Sequence, residues 1–246
     1  MISVDSVTYR YPGSDIDSLR EVSLAFEPAS FTAIMGANGS GKSTLARMLN
    51  GLVIPSTGKI LVDGMSTADA GSLSAIRRRV GLVFQDPNQQ MTSPTVEREL
   101  AFGLQNLGIP PEEIRSKVEI ELENLNLLSR RYSPPSLLSG GEKLRLIVSA
   151  VLMLQPDYFV LDETTSFLSP ASRKQLIAKL IELKRSQRMT IILITQFLEE
   201  AMMGERLAIL DRGRVAYNGA PGNAIGNREW LASLGIFIPA EFRPLV

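Results

Sequence analysis

One uninterrupted run constrains this chain more than any other: Gly36-Ala37-Asn38-Gly39-Ser40-Gly41-Lys42-Ser43-Thr44. It fits G-x-x-x-x-G-K-[ST] at every specified position. The chemistry of such a run demands a particular context. Its glycines let backbone N–H groups turn inward around phosphate oxygens, and a following helix directs its positive end at them. A short apolar run, Phe31–Met35, precedes the motif, and residues 43–50 carry a helical pattern behind it. Strand, loop and helix thus come in the required order, which a chance glycine-rich turn has no reason to satisfy. The motif places a nucleotide phosphate site, with Lys42 directed at the β- and γ-phosphates and the Ser43 hydroxyl at Mg²⁺. It identifies a site, not yet a family.

The rest of the chain supports a mixed α/β core. Residues 2–10 and 22–26 are β-rich and are separated by the break Tyr11-Pro12-Gly13-Ser14. Strands are predicted at 59–62, ahead of the turn Asp63-Gly64, and at 80–84. A mainly helical stretch follows. Ser93-Pro94 is read as an N-cap with proline at the first helical position, ahead of a helix over 95–107. Pro110-Pro111 opens another helix, with Glu112 and Glu113 where negative charge suits the dipole. A third begins near Ser139-Gly140-Gly141. Beyond it, strands at 158–161 and 190–195 flank a helix over 170–186. A hairpin, residues 206–211 and 214–218 joined at Arg212-Gly213, leads into a weakly patterned stretch, 221–246, with a helix around 228–234. The organisation expected is one domain spanning residues 1–246, with a helical subdomain inserted near 88–156 and a C-terminal extension near 221–246.

Tyr158-Phe159-Val160-Leu161-Asp162-Glu163 is an apolar strand ending in two acids. Alone it reads better as a strand followed by a solvated acidic turn, since such acidic pairs are common. With the phosphate loop upstream, Asp162 is placed to hold Mg²⁺ through water and Glu163 to polarise an attacking water.

Composition removes several alternatives. Lys+Arg and Asp+Glu are both 26, so the formal net charge is zero, and nothing argues for an extended nucleic-acid surface. Cysteine and histidine are both absent. Thiolate metal sites and cysteine nucleophiles are therefore excluded, and any general base is a carboxylate, a lysine or water. The apolar stretches are short, such as 189–195, far below the roughly 20 residues that cross a bilayer. Met1-Ile2-Ser3-Val4-Asp5 has no signal-peptide pattern, so a cytoplasmic protein that reaches a membrane only through a partner is expected.

Leu138-Ser139-Gly140-Gly141-Glu142-Lys143 decides between families. A serine and two glycines at a helix start present backbone donors and a hydroxyl to an anion, although an ordinary N-cap would look the same in isolation. Ahead of the acidic strand, the run resembles the LSGGQ signature of ABC ATPases, with Glu142 in place of glutamine. Phosphate loop, Gln85 after the strand at 80–84, signature, acidic strand and final switch strand come in that family's order and cover essentially the whole chain. The resemblance implies a P-loop NTPase (RecA-like) core with an antiparallel β subdomain and an inserted α-helical subdomain. It also implies head-to-tail pairing, in which each ATP lies between one subunit's P-loop and the other's signature.

On that resemblance the nucleotide contacts are Tyr11, Gly36, Asn38, Gly39, Ser40, Gly41, Lys42, Ser43 and Thr44, with Ser139, Gly140 and Gly141 acting on the partner's ATP. Tyr11 matches the aromatic residue that stacks on adenine, a contact worth roughly 0.5–1.5 kcal/mol beyond burial; a plain strand-end tyrosine is the competing reading. Gln85 matches the glutamine that touches Mg²⁺ beside the docking groove for membrane subunits. Mg²⁺ would then be held by Ser43, Gln85 and Asp162, and hydrolysis would fall to Glu163, Gln196 and Gln85. Within the family, Tyr9-Arg10-Tyr11-Pro12-Gly13, the run Arg77-Arg78-Arg79, the stretch from Val80 to Gln90 and Leu234-Gly235-Ile236 are similar to energy-coupling-factor importers of vitamins or transition-metal ions. The arginine run by itself reads as a solvated helix face.

Three departures fall on the hydrolysis side. Gln196 stands where the family's switch histidine belongs, Thr164 where proline follows the two acids, and Ser169 where an aspartate is usual. A glutamine amide donates a hydrogen bond but relays no proton, and losing such a group typically costs about 10²–10⁴-fold in rate. Gln196 could still position the phosphate adequately; the change at Ser169 points the other way. The expectation is the catalytically impaired half of a heterodimer with a second ABC ATPase subunit, on the cytoplasmic face of a membrane beside integral transport subunits. The competing classes are a non-transport ABC ATPase and an ATP-dependent clamp with little hydrolysis. A chain of 246 residues has no room for the tandem domains or long coiled coils of ribosome- or DNA-acting members.

Overall fold

The computed structural model describes residues 1–239. The chain opens with an antiparallel pair, β1 (Ile2–Tyr9) and β2 (Leu19–Phe26). In β2 the burial alternates residue by residue from Val22 to Phe26, the pattern of a strand with one face in the core and one in water. Next come β3 (Phe31–Met35), α1 (Lys42–Leu49), β4 (Thr57–Val62), the two-residue β5 (Met65–Ser66), α2 (Leu73–Arg79) and β6 (Val80–Val83). The helical stretch holds α3 (Val96–Asn106), α4 (Pro111–Asn124) and α5 (Gly140–Leu152). The remainder alternates: β7 (Tyr158–Asp162), α6 (Pro170–Gln187), β8 (Thr190–Ile194), α7 (Leu198–Ala201), β9 (Arg206–Asp211), β10 (Arg214–Gly219), α8 (Pro221–Ile225) and α9 (Arg228–Ser233).

Two sheets result. The smaller is antiparallel, in the order β2-β1-β4-β5; the larger has six strands in the order β10-β9-β3-β8-β7-β6. Within the larger sheet β3, β6, β7, β8 and β9 run parallel, and β10 returns antiparallel along the edge. Every residue of β3, β6, β7 and β8 is buried. That is why these segments read as unbroken apolar runs: a parallel sheet covered on both faces has no solvent side to require polar residues.

The pleat of β7 distributes its side chains between two cores. Tyr158 and Val160 face a cluster that includes Leu45, Met48 and Leu49 of α1 and the inner face of the antiparallel sheet. Phe159 and Leu161 face the other way, among Leu144 and Ile147 of α5 and Ile177 and Leu180 of α6. The helical stretch has a third core. Ile114, Val118 and Leu122 repeat every four residues along α4 and meet Val96, Leu100 and Leu104 of α3 and Leu146 of α5. A fourth cluster joins β9 to α7, α8 and α9 around Leu198, Ile209 and Leu231.

Differences from the sequence reading are local. Ser93 does not cap α3. Thr95 does, its hydroxyl accepting from the Arg98 N–H, and Pro94 stays outside the helix. The reason is that Glu99 folds its carboxylate back onto the N–H groups of Thr92 and Ser93, at 3.1 and 2.7 Å, which fixes Ser93 in the loop. Helices α7 and α8 and the strand β5 have no counterpart in the sequence reading, while the arginine run, read there as a solvated helix face, forms the exposed last turn of α2. The expected helix near 228–234 is α9, one residue shorter; the part of the 221–246 extension beyond 239 lies outside the described residues. Among the described residues no helix is long and apolar enough to cross a membrane.

Candidate active site

The loop at 36–41 leaves the carboxyl end of the buried strand β3 and enters α1 at Gly41, which has φ 101°. Only glycine takes that angle without strain, and there is a second reason for it here. A β-carbon on Gly41 would lie 2.4 Å from the Ser18 carbonyl oxygen and 2.6 Å from the Leu19 side chain. Gly39 also has a positive φ, 78°, but a β-carbon there would meet nothing within 4 Å. Gly41→Ala should therefore destabilise the chain by about 2–3 kcal/mol and Gly39→Ala by about 1 kcal/mol, since the left-handed angle alone costs about 1–2 kcal/mol. Denaturant unfolding of the two variants measures the difference; equal losses would show that the Ser18 packing is unimportant.

A cleft of about 320 Å³ lies over this loop. Asn38, Gly39, Gly41, Lys42, Ser43 and Thr44 form its floor, and Gln85, Glu163 and Gln196 come in from the ends of other strands. Strands β6, β7 and β8 are parallel neighbours, so residues just past their carboxyl ends converge on one side of the sheet. That topology brings together residues 78 and 33 positions apart, Gln85 with Glu163 and Glu163 with Gln196.

Glu163 is the hub. Its Oε1 is 3.0 Å from the Lys42 Nζ, and both side chains are nearly buried, at 6 and 4 % exposure. Its Oε2 accepts from Gln85 Nε2 at 3.2 Å and from Gln196 Nε2 at 2.9 Å. The backbone at Glu163 is left-handed, φ 50°, and its N–H donates to the Ile194 carbonyl on β8. A non-glycine residue held there by its surroundings is the kind of strain that accumulates at functional sites. Lys42 is also tied to the loop, donating to the carbonyls of Gly36 and Ala37 at 2.9 and 3.1 Å.

Beside the hub, the Ser43 hydroxyl donates to Asp162 Oδ1 at 3.0 Å. Burial pushes the Asp162 carboxyl above the ordinary carboxylate range, and neighbouring Glu163 adds to the rise; the Ser43 hydrogen bond, Arg47 and Lys42 oppose it. A hydroxyl and a buried carboxylate, with an amide oxygen available from Gln85, are hard oxygen donors of the sort Mg²⁺ takes together with phosphate oxygens. The donor set fits the ion. The expected third ligand is turned elsewhere, since Gln85 is hydrogen-bonded to Glu163 and not to the Ser43–Asp162 pair.

The structure separates the remaining site residues from this cleft. Tyr11 lies at its edge without lining it: its hydroxyl is 3.2 Å from Thr44 Oγ1 and its ring meets Tyr9 edge-on at 4.9 Å. Ser40 is buried in the loop and its carbonyl accepts from the Gly213 N–H. Ser139, Gly140 and Gly141 do not line the cleft either. They begin α5, where Ser139 and Glu142 form a capping box: Glu142 accepts from the Ser139 N–H and hydroxyl, both at 2.7 Å. Those bonds, with Arg130 and Arg145 nearby, hold the Glu142 carboxyl below its usual range. Ser139 and Gly140 are exposed to solvent. At the third departure, Ser169 caps α6 by accepting from the Ser172 N–H. Thr164 is fully buried and its hydroxyl has no hydrogen-bond partner, for which nothing in the structure gives a reason.

Two participants carried no sequence signal. Ser18, which lines the cleft, arrives through packing of the segment before β2 against the loop. Glu200 lies buried behind Glu163 and Gln196 and bonds to both of their segments. It is one of two adjacent acids in the α7 turn, and nothing in the sequence sets it apart from Glu199.

Comparison with known proteins agrees with this geometry. Residues 19–166 match the family model described as "ABC transporter". The energy-coupling factor transporter ATP-binding protein EcfA of Syntrophomonas wolfei is 41% identical over 246 residues, covering 100% of this chain and 90% of that protein. Among solved structures, cbiO1 of Clostridium perfringens, described as part of the ABC transporter complex cbiONQ, superposes with TM-score 0.80 at 29% identity, covering 98% of this chain and 96% of that one. The ATP-binding cassette MJ0796, a dimer bound to ADP and Pi in a post-hydrolysis state, gives TM-score 0.80 at 27% identity over 90% of this chain and 99% of that one.

Proposed function

This chain belongs to the ABC transporter family of ATP hydrolases, and we propose that within it the protein is the ATP-binding subunit of an energy-coupling-factor importer of vitamins or metal ions, working as one half of a heterodimer. One observation carries the pairing: the cleft lined by Lys42, Ser43 and Glu163 contains no part of the signature, which is displayed, capped and solvent-facing, at the start of α5. A phosphate cleft without signature residues and a signature exposed elsewhere on the surface would complete each other between two subunits. The dimeric cassette among the similar structures and the transporter complex named for cbiO1 are consistent with this.

In this reading the eight loop residues named above and Tyr11 hold ATP, Lys42 exchanging its bonds with Glu163 and the loop carbonyls for phosphate oxygens. Mg²⁺, when bound at Ser43 and Asp162, supplies charge neutralisation between the phosphates. Glu163 orients the attacking water, Gln85 and Gln196 steady it, and Ser139–Gly141 act on the partner's nucleotide. Residues 1–246 form a single ATPase domain. A groove of about 820 Å³, lined by Arg77, Arg78, Gln90, the half-exposed Phe102 and Leu107, is joined to the segment before Gln85 by Gln90, which accepts from the Phe84 N–H, and suits the membrane subunits, which would place the chain on the cytoplasmic face.

The impaired-half reading rests on Gln196 and Ser169. The Gln196 amide donates to Glu163, and Ser169 spends its hydroxyl on its own helix. The same facts favour a second reading, a clamp that dimerises on ATP with little turnover. Steady-state hydrolysis separates them. The isolated chain should turn over slowly, rise about tenfold or more on Gln196→His, and give a fast pair with a second ATPase subunit that carries the histidine. A slow pair would favour the clamp. Brisk hydrolysis by the isolated chain, unaffected by Gln196→Ala, would remove the impaired-half reading altogether.

A further inference from the structure

Behind the cleft a single carboxylate oxygen joins the two segments that carry Glu163 and Gln196. Glu200, on α7, is 3 % exposed. Its Oε2 accepts from Thr165 Oγ1 at 2.9 Å and from Thr195 Oγ1 at 2.5 Å, and both threonines are buried. Thr165 lies two residues after Glu163, in the short 3-10 turn Thr164–Phe167; Thr195 immediately precedes Gln196. With the Gln196–Glu163 bond of 2.9 Å, the chain of contacts closes on itself: Glu163, Thr165, Glu200, Thr195, Gln196 and back to Glu163.

The other side of the switch segment is also held. The Thr195 hydroxyl accepts from the Phe197 N–H at 3.0 Å, and the Arg173 guanidinium of α6 lies over the Phe197 ring at 3.6 Å. Gln196 is thus fixed from both neighbours while its own side chain donates to Glu163. A buried carboxylate is costly unless it is bonded, and burial does push this carboxyl up, against the two threonine hydrogen bonds and Arg173. Its other oxygen, Oε1, is buried with no hydrogen-bond partner among the described residues. Three apolar side chains would fill the same space without that cost, so packing alone does not call for an acid and its two threonines here.

We propose that Glu200 is a positioning residue for hydrolysis: by accepting from Thr165 and Thr195 together, it sets the distance between the Glu163 turn and Gln196, and so the geometry of the groups that meet the γ-phosphate and its attacking water. This rests on the reading of Gln196 as one of those groups. Because Thr165 lies in the turn that leads into Ser169 and α6, the same bridge passes any movement of that turn, on arrival of a second subunit, to Gln196.

The test is a double-mutant cycle on the full-length chain, read by single-turnover hydrolysis of radiolabelled ATP and, separately, by the affinity for a fluorescent ATP analogue. Glu200→Ala should slow hydrolysis about tenfold or more, a small misplacement being enough for that, while leaving nucleotide affinity within about threefold. Glu200→Gln, whose amide oxygen accepts from both hydroxyls, should stay within about threefold of the wild-type rate. In a Gln196→Ala background the Glu200→Ala change should add less than about twofold, because residues acting as a unit are not additive. Full additivity, or equal loss in the Gln and Ala variants, would reduce Glu200 to a packing role and overturn the proposal. So would a parallel loss of affinity and rate. If Gln196→Ala alone leaves single turnover unchanged, the reading of Gln196 fails, and the bridge to it fails with it; if Gln196→Ala slows the reaction and Glu200→Ala does not, only the bridge fails. Should Glu200→Ala not fold, Thr165→Val decides in the same cycle: it removes one arm of the bridge and should slow hydrolysis non-additively with Gln196→Ala, and an unchanged rate overturns the proposal.

Discussion

Lys42→Ala should weaken ATP binding to this chain by about 10–100-fold, because a charged hydrogen bond to phosphate contributes about 1.5–3 kcal/mol and every 1.4 kcal/mol is tenfold. The same substitution should also lower stability, for a reason visible before any nucleotide is considered. Lys42 and Glu163 are a buried ion pair, 3.0 Å apart and nearly inaccessible to water. Removing one member leaves the other's charge buried, which typically costs about 3–5 kcal/mol. Here the loss should fall near the lower end, about 3 kcal/mol, since Gln85 and Gln196 still donate to the Glu163 carboxylate.

The two effects can be separated. Lys42→Ala combined with Glu163→Gln removes the stranded charge, so most of the lost stability should return in denaturant unfolding. Affinity for ATP, measured by calorimetry, should not return, because no side chain replaces the lysine at the phosphates. An affinity unchanged in Lys42→Ala would count against the phosphate-loop assignment. A double variant that recovers both properties would mean that the single substitution acted only through misfolding.

How much of this was readable in advance depends on the range over which each signal acts. The phosphate loop is local: its residues are contiguous, and the glycine angles, the lysine and the hydroxyl are all specified within one turn of chain. The strands β3, β7 and β8 were legible because both of their faces are covered, which leaves an unbroken apolar run. The start of α3 was misplaced because Ser93 and Thr95 are both good caps by composition. The choice was made by Glu99, whose side chain folds back on the loop. Helix α2 shows in the sequence only through its arginine run, a solvated face, because of its seven residues only Ile76 is buried and it has almost no apolar face to mark its extent. The Thr165–Glu200–Thr195 bridge was out of reach for a different reason. It joins residues 35 positions apart, and only the parallel pairing of β7 with β8 sets them side by side. The sequence named Glu163 and Gln196 as separate candidates; that they touch each other, and are held at that spacing from behind, is a property of the fold.

Ser139→Ala should have its main effect on an ATP that this chain does not itself hold. Ser139 does two jobs in the structure: its hydroxyl accepts from the Glu142 N–H at the start of α5, and its exposed position leaves the Ser139-Gly140-Gly141 surface open to a second subunit. Loss of the cap should cost about 1 kcal/mol and a small fall in melting temperature. Loss of a donor aimed at the charge that develops on a transferring phosphoryl group costs far more, about 10²–10³-fold in turnover. The expected result is therefore asymmetric. In a pair with a histidine-bearing ATPase subunit, Ser139→Ala here should reduce turnover by about 10²-fold or more, while the affinity of this chain's own cleft for ATP stays unchanged. Glu142→Gln supplies the control: it disturbs the capping box, relaxing the carboxylate's hold on the Ser139 N–H and hydroxyl, but keeps the serine available. If that variant lowers turnover as much as Ser139→Ala does, the effect belongs to the helix start. If only the serine matters, the signature acts across the interface, and this chain's contribution to hydrolysis is made in the site of its partner.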